Sequence, residues 1–224
     1  HAVSYAIVSY RTAYMKRHYP REYMAALLTS VLDSSTKVAE YIAECREMHI
    51  RLLPPDVNES GAWFTVVGSD IRFGLVAIKN IGEKFINLLM AERESGGAFK
   101  SLEDFCRRMS GKELNRRAVE SLIQAGAFDS LGAKRRAMVQ MLDQVLDSIA
   151  DDGRKNVAGQ LDLFGGEDGG AMAEVPVPQV DEYSRAELMA MERSVTGLYL
   201  TGHPMDEYRE AVRRIGAAHI GAIL

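Results

Sequence analysis

Two cysteines, six prolines and one tryptophan are all that 224 residues hold of those types. Cys45 and Cys106 lie far apart and suggest no disulfide framework, so a reducing cytoplasm is the expected setting. No apolar run approaches the ~18 residues of a membrane span, and no signal-peptide pattern opens the chain, so no membrane partner is expected. Recognisable catalytic constellations are also missing. There is no glycine-rich phosphate loop, no His-Glu pair at zinc-protease spacing and no nucleophile elbow. Cys45 and His49 sit four apart on an expected helix, but two ligands do not make a zinc site, and a core cysteine beside a surface histidine is the simpler reading. Asp151 and Asp152 adjoin in a glycine-bearing stretch and read as solvating charge, because metals of phosphoryl transfer need rigidly held carboxylates. These residues therefore call for no metal and no cofactor. The opening "HAVSYAIVSY" and the closing "GAIL" read as the ends of a piece cut from something longer.

Charge is present but uneven. The net charge is −4, yet residues 107–136 carry eight basic side chains against three acidic ones. Residues 156–224 carry five against eleven. One part could face phosphate while another is held away from it, although two solvated helical faces would give the same counts.

The apolar pattern predicts a mainly α fold. A helix over 2–18 is followed by a second starting at Pro20, which suits a first helical position. Ser34 or Ser35 can cap a third, "KVAEYIAECREMH", with Val38, Tyr41, Ile42 and Cys45 on one face. "RLLPPDV" favours an extended segment at Leu52 and Leu53. "WFTVV" and "IRFGL" around "GSD" read as a small antiparallel β-hairpin. Helix returns through about residue 149, a flexible linker occupies 150–181, and a last helix begins in "DEYSRAELMAMERSVTG". The expected divisions are 1–50, 51–149, 150–181 and 182–224.

Two turns could bind phosphate. In "LVAIKNIGEKFINLL" the turn "KNIG" precedes a helix starting near Glu83 and buried through Phe85, Ile86, Leu88 and Leu89. Asn80 tolerates a left-handed backbone, Gly82 takes angles that other residues resist, and Ile81 pins the turn into the core. Backbone N–H groups from Gly82 to Lys84 would then face outward at a helix start, flanked by Lys79 and Lys84. This resembles the helix-hairpin-helix motif, which grips DNA by its backbone, although Asn80 stands where that motif usually has a first glycine. The second turn lies in "ELNRRAVESLIQAGAFDSLGAKRRAMVQML". Asn115 can cap its first helix, whose buried side is Ala118, Val119, Leu122 and Ile123, and Gly126 can end it, with Phe128 and Leu131 filling the turn. Arg116 and Arg117 open that helix, and Lys134, Arg135 and Arg136 open the next. Cations at a helix start oppose its dipole unless an anion answers them, which hints at phosphate; ordinary surface charge is the alternative.

The stretches "HAVSYAIVSYRTAYMKRHYPREYMAALLT", "LLPPDVNES", "FGLVAIKNIGE", "LNRRAVESLIQAGAFDSLG" and "TGLYLTGHPMDEY", in that order, resemble the alpha subunits of bacterial C-family replicative DNA polymerases. The resemblance implies the end of a fingers domain, a helix-hairpin-helix region holding duplex DNA, and a helical lead-in to an oligonucleotide-binding fold. It implies a parent that adds nucleotides with Mg²⁺ held by a palm outside this chain, and other replicase subunits as partners. His1 would close the nucleotide-facing part of the fingers, with no role assigned to it. "QLDLF", comprising Gln160, Leu161, Asp162, Leu163 and Phe164, resembles the pentapeptide that bacterial polymerases and repair proteins use to hold the sliding clamp. Gln160 offers an amide to a polar notch, and Leu163 and Phe164 can each bury ~1.5–3 kcal/mol of side chain. Ordering the segment takes several kcal/mol back, so a micromolar contact is expected. A short core strand is the competing reading of "LDLF". A non-catalytic repair scaffold with hairpins and a clamp peptide, or a helical interaction module touching neither DNA nor clamp, are the rival functions. The N-terminal segment argues against a repair scaffold.

Overall fold

A computed structural model describes residues 1–157 and 175–216, with the backbone alone at Ser35 and residues 152–157. Helices α1 (Ala2–His18), α2 (Pro20–Ser30) and α3 (Ser35–Glu47) come first. Pro20 occupies the first turn of α2, where its missing N–H costs nothing. Ser34 caps α3, its hydroxyl accepting from the Lys37 amide. Met24, Ala25 and Leu28 of α2 and Val38, Ile42 and Cys45 of α3 are buried. No residue of α1 is buried, and Val3, Tyr5, Ile7, Val8 and Tyr10 are exposed.

Strands β1 (Leu52–Leu53), β2 (Thr65–Val67) and β3 (Asp70–Arg72) form a sheet in the order β1-β3-β2. The hairpin is antiparallel as its sequence predicts, with Val66 opposite Ile71. The extended Leu52–Leu53 segment goes further than expected and joins β3 in parallel. Beyond the hairpin, a Cβ on Gly74 would meet the backbone of Ala62, Trp63 and Phe64, so only glycine fits there.

Helices α4 (Glu83–Gly96), α5 (Leu102–Met109), α6 (Arg116–Gln124) and α7 (Arg135–Val157) follow. They close on a row of edge-to-face rings, with Phe105 4.9 Å from Phe99 and 5.0 Å from Phe128. One continuous cluster of buried side chains runs from Met24 through these rings to Leu198. Helix α7 continues beyond residue 149, so Asp151 and Asp152 are helical rather than part of a linker. An extended segment from Val175 leads to α8 (Arg185–Thr196) and α9 (Arg209–Arg214). Ser184 and Glu187 form a reciprocal capping box at the start of α8. Residues 175–180 are tied to the helices: the Val175 amide donates to Glu103 at 3.0 Å, and Lys134 Nζ donates to the Val180 carbonyl at 3.0 Å. No described helix is long and apolar enough to cross a membrane.

Candidate nucleic-acid interface

Leu75–Ala77 is one turn of 3₁₀ helix, and the chain then folds over Lys79–Gly82 into α4. The left-handed residue of this turn is Asn80, at φ +64°. Gly82 has ordinary extended angles, φ −82° and ψ 150°, with open space where a Cβ would stand. The expectation that Gly82 supplies unusual angles is therefore corrected. Ile81 is buried beneath the turn. Because Gly82 has no side chain to fold back, α4 starts without a side-chain cap, and its first N–H groups keep their capacity for an anion.

The structure joins two features that are separate in the sequence. Asn80 Nδ2 donates to Ser121 Oγ at 3.1 Å, tying the turn to the middle of α6. Lys84 pairs with Glu113, just before α6 begins. The start of α4 is thus fastened to α6 and to the segment just before it, with Asn115 capping α6 by accepting from the Ala118 amide at 2.9 Å. Lys79 is held from behind, its amide donating to the Val195 carbonyl and its ammonium to that of Ser194, each at 2.8 Å. Arg116 is bound by Asp143 at 2.6 Å and Glu120 at 2.8 Å. Arg117 is exposed and has no ion pair among the described residues.

The basic cluster at the start of α7 is spent differently. Arg135 is 3 % exposed and its guanidinium reaches Asp129, Glu192 and the Gln124 carbonyl. It cannot touch a phosphate, and the expectation for it is corrected. The anion that answers the start of α7 is internal: Glu182 accepts from the amides of Arg135 at 2.7 Å and Arg136 at 3.1 Å. Burial alone would raise the Glu182 carboxyl, but these bonds and that from Tyr183 hold it below the ordinary value. Arg136 remains exposed, its guanidinium 5.6 Å from the Tyr183 ring centre, while Lys134 bonds Val180.

Ser121, Glu113 and Glu182 are partners that the linear pattern does not reveal, because each meets its mate across 29–47 residues of chain. Gln160, Leu161, Asp162, Leu163 and Phe164 lie outside the described residues. Burial pushes the Cys45 thiol up to about 11, which suits the core role read for it, and no group of three or more metal-ligating side chains occurs among the described residues.

A family model described as a helix-hairpin-helix motif matches residues 49–138, the span that contains the starts of α4 and α6 and the contacts between them. A DNA polymerase III subunit alpha from Saccharopolyspora erythraea is 45% identical over 212 residues, covering 92% of this chain and 18% of that protein. This chain is related to part of the DNA polymerase III alpha subunits. The Thermus aquaticus subunit is 42% identical over 208 residues and that of Deinococcus radiodurans 40% over 224, the latter taking in 98% of this chain and 16% of the relative. The chain thus spans less than a fifth of the length of these alpha subunits.

Proposed function

We propose that this chain is the part of a replicative DNA polymerase that holds duplex DNA through its backbone and tethers the enzyme to the sliding clamp. The observation that carries the first half is the tie of the α4 start to α6, by Asn80–Ser121 in the middle of that helix and by Lys84–Glu113 just before it, inside the span matched by the helix-hairpin-helix model. The uncapped start of α4 offers backbone N–H groups and partial positive charge, which suits a phosphate and reads no bases. Gly82, through its neighbouring backbone N–H groups, and Arg117 form this grip as they stand. Lys79, Asn80, Lys84, Arg116, Lys134 and Arg136 contribute only if phosphate draws them from their present partners. Nucleotide addition, with its Mg²⁺, is the work of the parent polymerase outside this chain, and the fragment alone is inactive.

The clamp contact belongs to Gln160–Phe164, with Leu163 and Phe164 burying their side chains and Gln160 supplying hydrogen bonds. A weak contact suffices, since an enzyme already on clamp-encircled DNA rebinds intramolecularly. Other replicase subunits are its further partners, and the cytoplasm its location.

Fluorescence anisotropy with a labelled duplex tests the grip. Replacing Lys79 and Lys84 by Ala should weaken binding uniformly across sequences and lower the salt slope by about one to two. An unchanged slope removes the hairpin from the DNA surface. In a second titration, a peptide spanning residues 156–170 should bind purified clamp at micromolar concentration and lose it on Phe164→Ala; absence of binding overturns the tether.

A further inference from the structure

An open cleft of about 1060 Å³ lies between the end of α3, the sheet edge and the loop after α8. It shares no residue with the hairpin. Arg46, His49 and Arg51 line one side, Arg193, Tyr199 and His203 the other, and no carboxylate is among the described residues that line it. Its floor is apolar, made by the buried Ile42, Ile50 and Leu198. Arg193 is built into the wall, its guanidinium 5.2 Å from the Tyr199 ring centre and donating to the Tyr199 hydroxyl at 2.7 Å. His203 stands edge-on to Tyr199 at 5.6 Å. Asp70 holds Arg51 by a 2.6 Å bond while leaving most of that side chain exposed. Arg46 is exposed and makes no ion pair among the described residues.

Arg46 and Arg193 stand in the last turns of α3 and α8, where the helix dipole alone favours a cation. The dipole does not account for their meeting across one opening, with Arg51, two histidines and a tyrosine around an apolar floor. That combination matches a ligand with a flat ring and an anionic group, the first stacking on Tyr199 and the second answered by guanidinium.

We propose that this cleft binds a nucleotide, with its phosphate toward the arginines and its ring toward Tyr199 and the floor. The nucleotide is either one unit of a single strand or a free mononucleotide. The inference does not rest on the duplex grip, because the two surfaces have no residue in common.

Three labelled probes titrated into the full 224-residue chain test it: single-stranded oligothymidine, thymidine monophosphate and a duplex. The Arg46→Glu/Arg193→Glu variant should lose tenfold or more in affinity for at least one of the first two and change less than twofold for the duplex. Lys79→Ala/Lys84→Ala should do the reverse. Loss on the oligomer alone identifies a strand, and equal loss on the monophosphate identifies a free nucleotide. Since Arg193 supports Tyr199, Arg46→Glu alone, with an unchanged circular dichroism melt, must still cost at least threefold. Absence of binding to both single-strand and monophosphate probes overturns the proposal. So does unchanged affinity in the variants, or equal loss on the duplex.

Discussion

Arg135 shows how the surroundings of one cation decide its use. Three consecutive basic residues at a helix start look alike in the sequence, but only the middle one turns inward, where Asp129 holds one edge of its guanidinium and Glu192 receives another. Glu192 has no exposure of its own and also accepts from the amides of Leu200 and Thr201, each at 3.0 Å. Removing the cation strands a buried carboxylate, so Arg135→Ala should cost about 3–5 kcal/mol in urea unfolding. The double variant Arg135→Met/Glu192→Gln should recover part of that loss, because a neutral amide carries no buried charge and its oxygen still accepts from Leu200 and Thr201. Gly126 belongs to the same arrangement. Its φ of +80° suits glycine, and a Cβ there would strike the Arg135 guanidinium, so Gly126→Ala should destabilise the chain by about 1–2 kcal/mol, read from the same urea curves.

Among the elements, the contrast between α4 and α7 separates a helix start with spare capacity from one already satisfied. Glu182 closes the start of α7 from the segment that leads into α8. Because its carboxyl is held below the ordinary glutamate value, its contribution is complete above that value and disappears as pH falls through the lowered one. The stability difference between the parent chain and Glu182→Gln should therefore be constant from pH 7 to about 5 and shrink toward zero below about pH 4. Most elements were legible in the sequence because they depend on near neighbours: Pro20 begins α2, Asn115 caps α6, and Gly126 follows its end. The turn geometry at Asn80 was legible for the same reason. What the sequence could not show was which cations find acids, since Glu113 and Glu182 lie 29 and 47 residues from the groups they meet. Nor could it show that two leucines join β3 in parallel, as strand pairing depends on distant chain. Helix α1 marks the other extreme, with nothing of it buried. Hydrogen exchange should find its amides the least protected of the seven helices from α1 to α7.

For the molecule as a whole, the unbroken core matters more than any boundary drawn from composition. Helix α2 packs on β2 and β3, and Val195 of α8 and Leu198 just beyond it join the same buried cluster. Residues 51–149 expressed alone would uncover both faces and should give a poorly dispersed amide spectrum, whereas sharp dispersion would show a self-sufficient hairpin domain. The fastening of Arg135 to Glu192 also has a consequence for descent. The two positions lie 57 residues apart, and a change at either alone leaves a charge without its mate. A lineage can therefore cross from the ionic pair to an apolar one only by a double step or through a weakened intermediate. Across the alpha subunits related to this chain, the residues aligned with 135 and 192 should be inherited as a couple, exchanged together or not at all.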